Sequence, residues 1–275
     1  MKDILEEIVA HKRLEVQQEK LLLPPERLYA EVERLMEEEE TAAAGKDGTR
    51  PRRSMRKSLA ASRSGIIAEF KRKSPSKGWL KAEGQAEVIP PAYAKAGAAA
   101  LSILTDRDYF GGSPDFIRRA RPLVDIPILR KDFILDEYQL YRAKQLRADA
   151  VLLIAADLTL TECAALTRKA HELELEVLLE VHSEAETEYA VCGPDMIGVN
   201  NRNLGTFHTD VENSFRLVSR LPSDITAVSE SGIARPAVVR ELRQAGFRGF
   251  LIGETFMREA DPGAALRKFI REVEA

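Results

Sequence analysis

The most informative segment of this chain is IIAEFKRKSPSKG, residues 66–78. A short apolar run ends in Glu69 and Lys71 and then gives way to a loop rich in Ser, Pro and Gly. Because side chains alternate along a strand, Ile67, Glu69 and Lys71 share one face and the remaining apolar residues share the other. Burying a carboxylate and an ammonium is costly unless they pair or bind a ligand. Since α/β proteins place their chemistry in loops at such strand ends, the segment predicts a strand leading into a functional site. A surface ion pair on an edge strand is the alternative.

Seven further apolar runs follow, separated by stretches compatible with helices. The eight predicted strands are Ile66–Phe70, Ala100–Leu104, Pro127–Arg130, Ala150–Ile154, Glu176–Val181, Met196–Asn200, Thr226–Ser229 and Gly249–Ile252. Local signals predict helix starts at Ser113-Pro114, Asp136, Thr161, Ser183 and Arg235-Pro236. Eight βα units close a barrel, whereas an open doubly wound sheet is disfavoured because no GxGxxG turn follows the first strand. The sequence therefore predicts an α/β fold, a (β/α)8 TIM barrel.

An additional N-terminal helical segment precedes the predicted barrel. Apolar residues recur at near-helical spacing over Ile4–Leu14, and Pro24 interrupts the run before a second helical stretch. Residues 41–53 combine Gly, Pro and mixed charge, which is typical of a linker. We therefore expect a single domain in which residues 1–53 form the helical extension and linker and residues 54–275 form the barrel.

Composition and charge restrict the possible function classes. The 275 residues include 44% hydrophobic and 31% charged residues, and the formal net charge is −3, so no excess positive charge favours nucleic acid or membrane surfaces. No apolar run approaches the ~20 residues that span a bilayer, and the N-terminus lacks a signal-peptide core. Cys163 and Cys192 are isolated in the sequence, which predicts reduced structural thiols in a cytoplasmic protein. The four histidines are scattered, so no metal site is predicted.

Polar residues stand at the ends of six of the eight predicted strands. They are Glu69 with Lys71, Lys131, Glu180, Asn200, Glu230, and Gly253 followed by Glu254. A single residue of this kind usually marks only the point where the chain meets water, but parallel strands bring all six ends to one face of a barrel. Burial lowers the pKa of a lysine and a neighbouring carboxylate raises it, so the sequence leaves the protonation of Lys131 open.

Two glycine turns predict a phosphate site. Gly232 follows the seventh predicted strand and Gly253 follows the eighth. Glycine permits close backbone approach to a ligand, and free N–H groups at helix starts attract anions. Tight turns without a ligand are the alternative, but many barrels hold phosphate in these two loops. Trp79, in the first loop, could pack over a ligand ring or anchor the loop itself.

Together, these motifs resemble the indole-3-glycerol phosphate synthase family of tryptophan biosynthesis. The resemblance covers essentially the whole chain and rests on IIAEFKRKSPSKG, LSILTDRDYFGGS, PILRKDFILDEYQLYRAKQLRADAVLLI, LLEVHSEAE, IGVNNRNL, VSESGI and FLIGETFM. It implies that 1-(2-carboxyphenylamino)-1-deoxyribulose 5-phosphate undergoes ring closure, decarboxylation and dehydration to indole-3-glycerol phosphate. The substrate supplies its own electron sink, so no cofactor is expected. An association with other tryptophan-pathway enzymes is a further expectation.

The resemblance also implies roles for individual residues. Lys131 is the expected general acid of ring closure, Glu180 the expected base of dehydration, and Lys71 the expected partner of the anthranilate carboxylate. The residues expected to orient the ribulose hydroxyls and the lysines are Glu69, Asn200 and Glu230. The expected phosphate ligands are Ser231, Gly232, Gly253 and the backbone N–H of Glu254, with Arg202 in support. The other expected substrate-binding residues are Ser74, Phe110 and Phe133, the last two at the aromatic end.

Two other functions remain as alternatives. A barrel like phosphoribosylanthranilate isomerase would need a Cys/Asp acid–base pair, yet Cys163 and Cys192 fall in or beside predicted helices rather than at strand ends. A non-catalytic barrel that binds a phosphometabolite would be expected to have lost the acid or the base, yet Lys131, Glu180 and Lys71 are all present.

Overall fold

The computed structural model describes residues 4–44, 52–203, 205 and 208–275, and at its centre lies a closed barrel of parallel strands. The strands are β1 Ile66–Phe70, β2 Ala100–Leu104, β3 Ile128–Lys131, β4 Ala150–Ile154, β5 Glu176–Val181, β6 Met196–Asn200, β7 Thr226–Glu230 and β8 Gly249–Ile252. Each strand pairs with its neighbours in sequence, and β8 closes the barrel on β1, with Leu251 beside Ile67. The predicted TIM barrel is confirmed, and each predicted strand end is confirmed to within one residue.

Helices surround the barrel. The α-helices of the described residues are α1 Ile4–Leu22, α2 Pro25–Ala44, α3 Met55–Ala61, α4 Ile89–Ala96, α5 Pro114–Ala120, α6 Glu137–Gln145, α7 Leu160–Glu172, α8 Glu212–Leu217, α9 Pro236–Ala245, α10 Glu254–Met257 and α11 Pro262–Glu274. Short 3₁₀ helices span Arg121–Leu123, Ala155–Asp157, Ala185–Cys192 and Val218–Arg220. None of the described helices combines the length and the apolar character needed to cross a membrane.

The predicted helix starts are mostly confirmed. Those at Ser113-Pro114, Asp136 and Arg235-Pro236 are correct. The prediction at Thr161 is wrong, because α7 is capped by Thr159, which forms a reciprocal capping box with Glu162. The signal at Ser183 precedes a 3₁₀ helix that begins at Ala185.

The barrel interior and the layer under the helices form two separate cores. Along β5, for example, Leu178 points into the barrel while Val177 and Leu179 pack outward. This alternation follows from the two-residue period of a strand, and it places Glu180 on the inward face with Leu178. Inward-facing polar residues at the carboxyl ends of the strands therefore converge, as the sequence predicts.

The N-terminal extension differs from its prediction in two respects. The first four residues of the predicted linker, residues 41–44, continue α2, and residues 45–51 lie outside the described residues. Helix α3 is not predicted from the sequence. Its buried Met55 and Leu59 join the inner core at the amino ends of the strands, and the carboxylate of Glu176 accepts the backbone N–H of Met55 at 2.6 Å. Helix α3 thereby closes the end of the barrel opposite the polar strand ends.

Candidate active site

A cavity of about 600 Å³ opens at the carboxyl ends of the strands. The predicted site residues that line it are Glu69, Lys71, Phe110, Lys131, Phe133, Glu180, Asn200, Arg202, Glu230, Ser231, Gly232, Gly253 and Glu254. Ser74 does not line the cavity. It is buried in a short antiparallel hairpin, in which Lys73–Ser74 pairs with Gly78–Trp79, and its Oγ accepts the backbone N–H of Lys77 at 3.2 Å, so its hydroxyl holds the turn. Pro75 and Lys77 reach the cavity from this loop instead.

Two ammonium groups and three carboxylates form the charged centre of the cavity. Lys131 Nζ lies 2.9 Å from Oε2 of Glu180 and 3.5 Å from Oε2 of Glu230. Lys71 forms a close ion pair with Glu69 on the neighbouring wall. All three carboxylates are almost completely buried, so the two lysines supply the compensating charge that buried carboxylates require.

The protonation states in this centre follow from burial and charge. Burial lowers the pKa of Lys131, but the surrounding carboxylates outweigh burial and hold that pKa above its usual value. Burial raises the pKa of Glu180, but Lys131, His182 and Asn200 bring it well below its usual range. Burial and the adjacent carboxylates raise the pKa of Glu230 to about 8, against the opposing effect of Lys131. At neutral pH, Lys131 is therefore an ammonium, Glu180 is ionised and Glu230 is protonated.

Two glycines make room for these carboxylates. A Cβ at Gly198, on β6, would collide with the carboxylate of Glu230, and a Cβ at Gly253 would collide with that of Glu69. The absence of a side chain at each position lets the neighbouring carboxylate stand inside the barrel. Gly253 therefore has a structural function besides its predicted place in a phosphate site.

The loops after β7 and β8 line the cavity beyond this charged centre. Ser231 and Gly232 both have left-handed backbone conformations, with φ of 68° and 75°, and a Cβ at Gly232 would approach Cγ2 of Thr209 to 2.6 Å. Two arginines stand beside this turn. The guanidinium of Arg258 lies 2.8 Å from the carboxylate of Glu254, and that of Arg202 lies 3.9 Å from it. Positive charge and a tight left-handed turn make this end suited to an anion.

Helix α1 supplies a wall of the cavity that sequence reasoning missed. Its residues Ile4, Leu5 and Ile8 line the same cavity as the polar residues at the carboxyl ends of the strands. Arg258, also missed, lies one helical turn after Glu254. The apolar spacing of α1 predicts a buried face, but nothing local in the sequence shows that this face covers the site.

A buried lysine fastens α1 to the rim of the barrel. Lys12 Nζ lies 2.9 Å from Oδ2 of Asp106, 2.9 Å from Oδ1 of Asp132 and 2.7 Å from Oε2 of Glu15. Asp132 also pairs with Arg130, whose Nη2 lies 2.9 Å from Oδ2. Burial lowers the pKa of Lys12, but these carboxylates raise it above its usual value. Asp132 lies between Lys131 and Phe133 in the sequence, and both of these residues line the cavity. The ion cluster therefore connects α1 with two cavity residues.

The aromatic residues divide between the cavity and its loop. Phe110 and Phe133 lie with ring centroids 6.1 Å apart and line one end of the cavity. Trp79 does not line it. Its ring packs on Gly111 and under the guanidinium of Arg72, 5.4 Å from the ring centroid, so of the two interpretations Trp79 is the loop anchor.

The cysteines and histidines lie mostly elsewhere. Cys163 and Cys192 are free thiols outside the cavity, and burial, reinforced by the nearby Cys192, raises the pKa of Cys163 to about 12. His11 and His171 form surface pairs with aspartates. His182 lies behind Glu180. Within the described residues, no cluster of three or more His, Cys, Asp or Glu side chains is arranged to hold a metal ion.

Comparison with known proteins gives relatives along the full length. The family model described as indole-3-glycerol phosphate synthase matches residues 5–269. A protein of that name from Bacteroides thetaiotaomicron is 58% identical over 274 residues, covering 100% of both chains. Another protein of that name, from a Polaromonas species, is 42% identical over 267 residues, covering 97% of each chain.

Solved structures share the architecture at low identity. Thiamine phosphate pyrophosphorylase from Pyrococcus furiosus superposes with a TM-score of 0.59 at 19% identity, covering 81% of this chain and 100% of that one. 3-Hexulose-6-phosphate synthase from Salmonella typhimurium gives a TM-score of 0.59 at 13% identity, covering 76% and 98%. At these identities the similarity concerns the fold alone.

Proposed function

The chain belongs to the indole-3-glycerol phosphate synthase family, carboxy-lyases of tryptophan biosynthesis, and from this premise we propose which residues carry the reaction. The substrate is 1-(2-carboxyphenylamino)-1-deoxyribulose 5-phosphate. Its aromatic carbon attacks the ketose carbonyl, CO2 leaves, and water is then lost to give indole-3-glycerol phosphate.

Lys131 and Glu180 are the acid and the base. The observation that carries this assignment is their contact, 2.9 Å from Nζ to Oε2, in the cavity that both residues line. The raised pKa keeps Lys131 protonated, so it can donate a proton to the ketose oxygen as the ring closes. Glu180 is ionised and can accept a proton during dehydration. Holding both groups against one substrate supplies the positioning that such a reaction needs.

The two ends of the cavity match the two ends of the substrate. Lys71 holds the anthranilate carboxylate, and the ring lies against Phe110 and Phe133. The phosphate lies at the turn formed by Ser231 and Gly232, beside the predicted ligands Gly253, Glu254 and Arg202. The ribulose hydroxyls between these ends are oriented by Glu69, Asn200 and Glu230. Charge placement supports this orientation, because both anionic groups of the substrate then meet cationic side chains.

The assignment is tested by mixing purified protein with the carboxyphenylamino-deoxyribulose phosphate and following indole fluorescence. Lys131→Met should lower kcat by about 10²- to 10⁴-fold, the usual contribution of a positioned acid or base. Lys268→Met, at a lysine whose side chain is 76% exposed on α11, is the matched control and should leave kcat unchanged. Normal turnover by folded Lys131→Met would remove Lys131 from its role, and an inactive wild type would remove the function.

The alternative functions receive less support from the site. An isomerase-like mechanism would need a cysteine at the reacting atoms, whereas neither Cys163 nor Cys192 lines the cavity. A purely binding barrel would not need an ammonium and a carboxylate in contact at its centre.

We further propose that the enzyme works in the cytoplasm beside other enzymes of tryptophan biosynthesis. The support is chemical, since its substrate and product are intermediates that neighbouring enzymes make and consume. Crosslinking in cells followed by identification of the partners tests this proposal, and the absence of any pathway enzyme among them would count against it.

A further inference from the structure

His182 stands directly behind the proposed catalytic base. It follows Glu180 by two residues at the end of β5, and the two-residue period places both on the same face. The side chain of His182 is only 13% exposed. Its Nε2 lies 3.2 Å from Oε1 of Glu180, and its Nδ1 lies 3.4 Å from Oε2 of Glu186. Neither ring nitrogen forms a regular hydrogen bond, so the ring stands as a charge between two carboxylates.

We propose that His182 is a positioning residue that carries a positive charge between Glu180 and Glu186 and so keeps the base ionised and directed at the substrate. This inference rests on the proposed function of Glu180 as the base. His182 does not line the cavity, so it would act on the reaction through Glu180.

Glu186 is held in place to face the imidazole. Its Oε2 accepts the backbone N–H of His182 at 2.8 Å, and its Oε1 accepts the hydroxyl of Ser183 at 2.8 Å. With both oxygens engaged, the carboxylate cannot turn freely towards water. Burial lowers the pKa of His182, but the two carboxylates together raise it to about 10, so the ring is cationic at neutral pH.

In the part of the chain that the structure describes, the carboxylates within 4 Å of the His182 ring are those of Glu180 and Glu186. From α8, Asn213 donates to the backbone oxygen of His182 at 3.2 Å, and Arg216 donates to Asn213 rather than to the histidine. Glu180 itself has two further partners. Lys131, on β3, donates to its Oε2, and the side-chain amide of Asn200, on β6, donates to its Oε1 at 2.9 Å.

This arrangement matters at one stage of the reaction. When Lys131 gives its proton to the substrate, Glu180 loses the positive charge that faces Oε2. The imidazolium on Oε1 then remains to hold the carboxylate ionised until the dehydration step, in which Glu180 takes up a proton. Asn200, a neutral donor, stabilises the carboxylate less than a cation does.

The test is the pH dependence of kcat/KM for His182→Asn, which keeps a polar side chain without the charge. Removing the cation should raise the pKa of Glu180, so the acidic limb of the profile should move to higher pH by about 1 to 3 units. Glu186→Gln should leave the acidic limb in place, because the ring of His182 stays protonated at the low pH at which Glu180 titrates. His171→Asn removes an exposed His–Asp pair at 2.9 Å and is the matched control, with an unchanged profile.

Several outcomes separate this inference from the proposed function. If Glu180→Gln stays active, the assignment of the base fails, and His182 loses its role with it. If Glu180→Gln is inactive while folded His182→Asn keeps the wild-type limb, or loses activity equally at every pH, the inference alone is overturned. Should His182→Asn not fold by circular dichroism, His182→Gln decides: an unshifted limb overturns the inference.

Discussion

Replacing Lys12 by methionine tests how strongly the N-terminal extension is tied to the active site. The substitution preserves the approximate length of the side chain but removes the ammonium that pairs with both Asp106 and Asp132. Breaking a buried ion cluster by removing one partner typically costs about 3 to 5 kcal/mol, because the remaining charges stay buried without compensation. Asp132 keeps Arg130, whereas among the described residues Asp106 keeps only the backbone N–H donors of Tyr109 and Phe110, which places the main cost at Asp106.

Urea unfolding of Lys12→Met and wild type measures this cost. The matched control is Lys20→Met on the same helix, whose ion pair with Asp136, at 2.7 Å, is about one-third exposed. Such a pair contributes about 0.2 to 1 kcal/mol. A loss below 1 kcal/mol for Lys12→Met, or equal losses for both variants, would refute the reasoning.

The pH dependence of this cost has a definite sign. The pKa of Lys12 is raised on folding, so its contribution is fully present below the unfolded value of about 10.4 and is lost only as pH rises through the folded value. The pKa of Asp132 is lowered by Lys12 and Arg130, against burial, so its contribution is present above about 3.9 and is lost as pH falls. The difference between Lys12→Met and wild type should therefore be constant between about pH 5 and 9. Because α1 lines the cavity, KM should rise as well.

Three other changes address the cavity itself. Gly198→Ala places a methyl group where the Glu230 carboxylate stands. The fluorescence assay should show a lower kcat, and urea titration should show a free energy of unfolding reduced by about 1 to 3 kcal/mol. Glu230 has a pKa of about 8, so Glu230→Gln should resemble the wild type at pH 6.5 and lack the change in kcat that the wild type shows as pH rises through 8; inactivity at every pH would contradict this. Trp79→Ala removes the packing on Gly111 and Arg72, so KM should rise more than kcat falls, and an unchanged KM would show that the loop needs no anchor.

The strands could be predicted from sequence because each is buried on both faces. A run such as Ala150–Ile154 is apolar at every position, as expected for a parallel strand between two cores. The polar ends could be predicted for a related reason, since Glu180 interrupts an apolar run and Lys131 shares one strand face with Leu129 and Phe133. Loop Ser74, assigned through the resemblance alone, has no such pattern to show which way its hydroxyl points.

The missed features depend on contacts between distant parts of the chain. Helix α3 has only seven residues and two buried apolar side chains, too few for a helical period to be recognised. Lys12 looks like a solvated helix charge, although it falls on the same helix face as Ile8 and Val16, both buried. Its partners Asp106 and Asp132 lie far along the sequence, and no local rule connects them. Long-range ion pairing of this kind leaves no periodic signal.

The pairing of β8 with β1 has a consequence during protein synthesis. While the chain is being translated, β1 can pair with β2 early, but its other edge has no partner until β8 has left the ribosome. An unpaired strand edge invites association with other chains. Helix α11, which packs against α4, emerges later still than β8. Nascent chains stalled before Gly249 should therefore be the species that most need a chaperone, and synthesis of β8, α10 and α11 should convert them to a protease-resistant form.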